Sequence, residues 1–193
     1  MNLMRLLLLL GCTMCFTSFL WAMLGGFFRT VEAPPTGLRR IQIFSSMFIT
    51  LHLVALFISD TQIPARQLLG VAMYAVSLGL FWLTLYTHKG IRLSHAFSDD
   101  CPLHLVTHGP YRLVRHPFYA SYLAAWLAGC IGITLFLLPT FIVMYNLYRS
   151  AALQEERKYS RSILAAQYEK YRLTTTMFFP RLGYRTPWRH NKL

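Results

Sequence analysis

Apolar residues in this chain come in long runs, without the three-and-four spacing of a helix that lies half in water. Leu6 to about Phe28 is almost unbroken, with Arg5 before it and Arg29 after it. At about 1.5 Å per residue, such a run crosses a hydrocarbon core of about 30 Å. A second run covers about Ile41 to Ser59, and a third covers Ala65 to about Thr87. A fourth begins at Pro117 and reaches about Leu138, with Gly129 and Gly132 permitting close helix contact. Pro139 breaks it and can open a fifth, apolar from Thr140 to Tyr148. That last run continues through Arg149, Glu155, Glu156, Arg157 and Lys158 with no turn residue, which predicts one helix leaving the membrane for water. The expected fold is all-α: an integral membrane bundle of about five transmembrane helices, forming one domain over residues 1–193. Residues 1–87 supply three membrane helices, and residues 88–193 carry nearly all the polar chemistry. There is no internal repeat or low-complexity tract.

Composition agrees. Of 193 residues, 55% are hydrophobic, and the mean hydropathy of +0.40 exceeds what a water-soluble domain usually carries. Arg5 before the first run imitates a signal peptide. The run is too long for a typical signal core and has no small-residue cleavage site, so it is expected to stay as a membrane helix. A net charge of +12 would suit nucleic acid, but the cations cluster at the ends of the apolar runs. No nucleic-acid partner is expected; the membrane lipid is. With five crossings, the stretches 29–40, 88–116 and the tail from 149 share one side and hold 17 of the 19 Lys and Arg. Only Arg5 and Arg66 fall on the other. The positive-inside rule then places the N-terminus outside and the C-terminus in the cytoplasm.

That arrangement puts two polar clusters on one face. The first is His108 to Tyr119, in which Gly109-Pro110 marks a turn and Pro117 suits a first helical position. Arg115 and His116 then stand at a helix mouth, where free N–H groups and the dipole favour an anion. The second is the carboxylate pair Glu155-Glu156. A tight hairpin of the fourth and fifth helices would bring the two together. A ligand matching both carries an anion, a cation and an aromatic part, as S-adenosylmethionine does. NADPH also suits the basic cluster, but leaves the carboxylates facing phosphates. A plain membrane-flanking loop with interfacial tyrosines is the bland reading.

Other features read as structural. Cys12 and Cys15 form a C-x-x-C inside an apolar run, where packing is the expected role; with Cys101 and Cys130 they imply no disulfide framework. No metal is expected: His104 and His108 are four apart, but the turn at Gly109-Pro110 interrupts any helix there. His52 is expected to bond across helices. Trp21, Trp82 and Trp126 are expected to pack against lipid or neighbours. Asp99-Asp100 reads as a solvated loop, or as a lid.

The order Leu105-Val106-Thr107-x-Gly109-Pro110-Tyr111-x-x-x-Arg115-His116-Pro117-x-Tyr119, then a hydrophobic hairpin, then Glu155-Glu156, resembles the isoprenylcysteine carboxyl methyltransferase and phospholipid methyltransferase superfamily. Tyr168, Tyr171 and Phe179-Pro180 extend the likeness over roughly 103–180. The resemblance implies a multi-pass membrane methyltransferase that binds S-adenosylmethionine at the cytosolic membrane edge and takes a lipophilic small-molecule, lipid or prenylated acceptor. Carried over by position, its cofactor contacts fall on Leu103, His104, Leu105, Val106, Gly109, Tyr111, Arg115, His116, Pro117, Phe118, Tyr119, Glu155 and Glu156. The family often reads His-x-Leu-Val at the first of these; here the histidine is displaced by one. Members acting on a prenylcysteine carboxylate resemble one another in an Arg one turn before the carboxylate pair. Here Ala151 and Ala152 stand there; Arg149, two turns before Glu156 on the same face, can substitute, but a prenylcysteine is not the favoured acceptor.

The reaction implied is an in-line displacement of methyl from sulfonium. A carboxylate acceptor needs no base, whereas an amine, thiol or phenol does, and His104, His108 or His116 is within the motif to serve. For His116, cofactor positioning is the leading expectation, with capping and a base role behind it. Two other readings stand beside this one: an NADPH-dependent membrane reductase of the sterol-reductase-like type, and a non-catalytic membrane partner that keeps the fold.

Overall fold

The computed structural model describes residues 2–26, 35–59, 63–88 and 104–180. It is all-helical. The helices are α1 (Leu3–Trp21), α2 (Thr36–Ile58), α3 (Pro64–Thr87), α4 (Pro117–Gly132), α5 (Leu138–Ser160) and α6 (Ala165–Thr174). The first five alternate in direction. Arg5, near the start of α1, donates to the Ser59 carbonyl that ends α2, while Phe19 near the end of α1 packs on Phe81 of α3. Among the described residues, three helices are long and apolar enough to cross a membrane: Leu3–Gly25, Thr36–Ile58 and Pro64–Thr87. They mark the chain as a membrane protein.

Local chemistry accounts for most helix ends. Asn2 caps α1 by accepting from the Arg5 amide, and the chain then passes through a π-helical turn, Ala22–Gly26. Gly25 there takes a φ of 103°, open to glycine at no steric cost. Pro64 opens α3 and Pro117 opens α4, each where a missing N–H costs nothing. Hydroxyls inside the membrane helices turn back on their own backbone, as Thr13 does to Leu9 and Thr84 to Leu80, which spares lipid an unpaired donor.

The fourth helix departs from expectation. It ends at Gly132 instead of about Leu138; Thr134 caps a 3-10 turn over Leu135–Leu137, and α5 begins at Leu138. At 16 residues, α4 is about 24 Å long, shorter than a bilayer core. It is instead the centre of the bundle, buried on most sides. A β-carbon on Gly70 would lie 2.6 Å from the Gly132 Cα, so α3 and α4 touch backbone to backbone. Ser77 donates to the Ser121 carbonyl across the same contact. Trp126 of α4 is buried and donates from Nε1 to the Tyr148 hydroxyl of α5 at 3.2 Å. The fifth helix is continuous to Ser160, as expected, with Arg157 and Lys158 in its last turn.

His52 sits where α2 meets α4. Its Nδ1 lies 2.8 Å from the Phe48 carbonyl of its own helix, and its ring meets Trp126 edge-on. Gly129 makes room for it, since a β-carbon there would lie 2.2 Å from the imidazole Cδ2. Cys12, Cys15 and Cys130 are buried free thiols. Trp21 and Trp82 stack on each other and stay half-exposed on the outer face. Cys101, Asp99-Asp100, Leu103 and the tail beyond Pro180 lie outside the described residues.

Candidate functional site

The α4–α5 hairpin does bring the two clusters together. His116 immediately precedes α4, and Glu155 and Glu156 sit in the second-last turn of α5. The imidazole Nε2 is 3.1 Å from the Glu156 Oε1, and Nδ1 is 3.2 Å from the Glu155 Oε2. A neutral imidazole has one N–H and can serve only one of these oxygens. Facing both, His116 is placed to use two N–H groups, as an imidazolium would. Burial pulls its pKa down, but the two carboxylates outweigh this and hold it above the usual value. Glu156 shows the converse: burial pushes it up, but His116 and Arg115 bring it down to about 2.

Tyr119, one helical turn into α4, donates to the Glu155 Oε1 at 2.6 Å. Its ring stacks on Tyr148 and lies parallel to the His116 ring at 5.8 Å. Arg115 donates from Nε to Glu156 at 2.9 Å, and from Nη1 to the carbonyls of Thr175 and Arg172. It is thus a clasp on the segment after α6. The backbone continues that clasp: the amides of Arg115 and His116 donate to the carbonyls of Thr176 and Met177. Sequence reasoning placed Arg115 at a helix mouth for an anion; its guanidinium instead spans a carboxylate and the tail.

The strapped segment carries a residue that sequence reasoning missed. Phe178 is buried and meets the rings of His116, Tyr119 and Tyr145. Its apolar neighbour Phe179, which resembled a family marker, is exposed instead. The signal for Phe178 was weak, because two adjacent phenylalanines in a basic tail do not say which one turns inward.

A second polar layer lies behind the first. Gly109–Arg112 forms a 3-10 turn, and Gly109 has φ 60°, with Thr87 close enough to exclude a side chain. Tyr111 has its hydroxyl 2.9 Å from the His88 Nε2, and its carbonyl accepts from the Tyr171 hydroxyl. Burial pushes the Tyr111 phenol well up and pulls His88 down to about 4. Pro117 and Phe118 are buried at the start of α4, with Phe118 stacked on His88. Tyr159 donates to the His104 carbonyl and stacks on Tyr168. Tyr168 is buried, with its hydroxyl close to Arg115 and Glu156. His104 itself is exposed, and Leu105 and Val106 are half-buried.

Arg149 is not brought in. It is exposed, whereas Tyr148, Ala151 and Ala152 are buried. The buried line of α5 follows Thr140, Met144, Tyr148, Ala152 and Glu156. Steps of four residues rotate that line by about 40° each. Two turns back from Glu156 the inward direction therefore passes through Tyr148, and its neighbour Arg149 faces out.

Chemically, the cluster is a pair of carboxylates behind an aromatic wall of Tyr119, Tyr148 and Phe178, with His116 between them and Arg115 on Glu156. Such an arrangement favours a cation. No family model matches the chain, and no curated protein matches it.

Proposed function

We propose that the protein is an S-adenosylmethionine-dependent methyltransferase of the membrane, acting on a lipophilic acceptor. The observation that carries this reading is the convergence of Glu155 and Glu156 on one cationic group beside stacked aromatic rings. This donor set fits the ammonium end of S-adenosylmethionine, and the imidazolium of His116 stands in for it. When bound, the cofactor supplies a methyl group on a sulfonium for in-line transfer. The chain's own part is positioning and exclusion of water. Glu155 and Glu156 hold the ammonium, Tyr119 orients Glu155, and Arg115 fixes Glu156 to the strapped tail. Arg149, facing out, is in no position to hold an acceptor carboxylate at this cluster, so the reading leans to acceptors other than a prenylcysteine.

The aromatic wall continues into the packed core of the bundle through Tyr122, Phe19 and Phe81. The charge distribution supports a cytosolic site with the N-terminus outside, and about five crossings in all. Trp21 and Trp82, stacked at the site end of α1 and α3, suit an interfacial belt on that side. A phosphate-rich cofactor such as NADPH would meet the carboxylates unfavourably. The test is equilibrium binding of S-adenosylmethionine, S-adenosylhomocysteine and NADPH to detergent-purified protein, followed by transfer of labelled methyl to lipid extracts. Binding of the first two and label in the lipid fraction are expected. NADPH binding alone would replace this reading with the reductase one, and binding of none of the three would favour the non-catalytic one.

A further inference from the structure

The same two carboxylates that would hold the ligand's cation are occupied by the protein itself. Glu156 Oε1 receives both Arg115 and His116, and Glu155 divides its oxygens between Tyr119 and His116. His116 is 8% exposed and Glu156 is 8% exposed, so neither is compensated by water. An arriving ammonium therefore meets a site whose charge is already balanced. Adding a positive group without removing one would leave a buried cation uncompensated, which is costly in such surroundings.

Of the two cations present, only one can leave by losing a proton. Arginine does not deprotonate in proteins, whereas imidazole does so readily. We infer that a cationic ligand enters this site in exchange for the proton of His116: the ammonium takes the carboxylate oxygens, and one N–H bond of the imidazolium breaks, its proton passing to solvent. This rests on the methyltransferase reading and states how that same site is regulated. The charge balances: the ligand's ammonium and sulfonium, less its carboxylate, bring a net single positive charge, and one proton departs. Only the loaded site holds a neutral imidazole with a free lone pair, so His116 becomes able to accept a proton from an amine, thiol or phenol acceptor only after the cofactor is in place.

The groups around His116 do not blur the exchange. His116 itself faces Tyr119 of α4 and Glu155 and Glu156 of α5; around those carboxylates stand Arg115, Tyr159, Tyr168, Tyr171 and Tyr111, with His88 bonded to Tyr111 behind them. Burial holds Tyr159 up at about 12 and pushes Tyr111, Tyr168 and Tyr171 up as well, while Glu156 stays near 2 and His88 near 4. Tyr159, Glu156 and His88, so displaced, exchange no proton between pH 6 and 7.

The experiment is calorimetric binding of S-adenosylmethionine to the full chain in detergent at pH 6 and pH 7, each in buffers of different ionisation enthalpy. Release of about one proton per ligand is expected at both pH values, with affinity rising up to about tenfold from pH 6 to 7. In His116→Gln, the proton release and the pH dependence should both vanish. Nitrogen-15 spectra of the histidine rings give a second readout in the unliganded protein: His116 should carry both ring protons at pH 6 and 7, and lose one on saturation with ligand. Binding without proton release, or a singly protonated His116 in the free protein at pH 6, would overturn the exchange and leave the methyltransferase reading standing. No binding of S-adenosylmethionine across this range would instead overturn that reading, and the exchange with it.

Discussion

His116 and Glu156 are 40 positions apart in the sequence, yet the imidazole Nε2 and the carboxylate Oε1 lie 3.1 Å from each other. Helices α4 and α5 form the hairpin that makes that contact. One runs into the bundle from the histidine, and the other runs back out to the carboxylate.

The contact sets a pH window for stability. Glu156 has its folded pKa lowered from 4.5 to about 2, so its contribution is present above about pH 4.5 and is lost as pH falls towards 2. His116 has its folded pKa raised above 6.5, so its contribution is full below about pH 6.5 and is lost as pH rises through the folded value. Thermal unfolding in detergent should therefore show the cluster stabilising the protein most between about pH 4.5 and 6.5. The difference between wild type and His116→Gln is expected to shrink above that window. A difference that grew with pH would contradict the assignment of an imidazolium.

Arg115→Lys should loosen the tail while leaving a positive charge in place. A lysine ammonium cannot span Glu156 and the carbonyls of Thr175 and Arg172 together, and loss of these bonds costs about 2 kcal/mol. The amides of Arg115 and His116 depend on the same strap. Hydrogen exchange in a peptide covering them should quicken about thirtyfold by local opening, at about 1.4 kcal/mol per factor of ten. Unchanged exchange would mean that the strap stands without its clasp.

Arg149→Ala tests the correction on α5. The side chain is exposed and away from the carboxylates, so cofactor affinity should stay within about twofold and stability within about 0.5 kcal/mol. A loss of methyl transfer with binding intact would return Arg149 to the acceptor site.

Two glycine substitutions separate contact from open space. A β-carbon at Gly70 would press on the backbone of Gly132 and on the Ala128 carbonyl, so Gly70→Ala should cost about 1–3 kcal/mol by forcing α3 from α4. A β-carbon at Gly79 meets nothing within 4 Å, and Gly79→Ala should be neutral or stabilising by up to about 1 kcal/mol through helix propensity. Melting temperatures of the two variants in one detergent give the comparison.

Much of this was legible in the sequence because the membrane reduces the choices. Apolar runs as long as 41–59 and 65–87 find no partner in lipid for their backbone N–H and C=O groups, so they must pair them internally as helices. Pro64, Pro117 and Pro139 mark where helices begin. The pairing of the His116 and Glu156 clusters followed from counting ends of helices. Four features were not legible. The early end of α4 at Gly132 depends on Thr134 and a 3-10 turn that apolar residues conceal. Arg149 looked inward because seven residues nearly complete two turns, but the inward line of α5 follows steps of four. Phe178 entered the site through backbone bonds of Arg115 and His116 to the tail, and such pairing leaves no mark in side-chain pattern. The Arg115 clasp was hidden for the same reason.

The central claim is that Glu155 and Glu156 form a cation-holding cofactor site. It is tested most directly by measuring S-adenosylmethionine affinity of the wild type and of Glu156→Gln, side by side at pH 7. The amide keeps the shape but removes the charge that faces Arg115 and His116, and a buried charge-assisted contact is worth about 1.5–3 kcal/mol. Micromolar binding by the wild type, weakened tenfold or more in a folded Glu156→Gln, is the expected result. Equal affinity in the two proteins, or no binding by the wild type, would contradict the account.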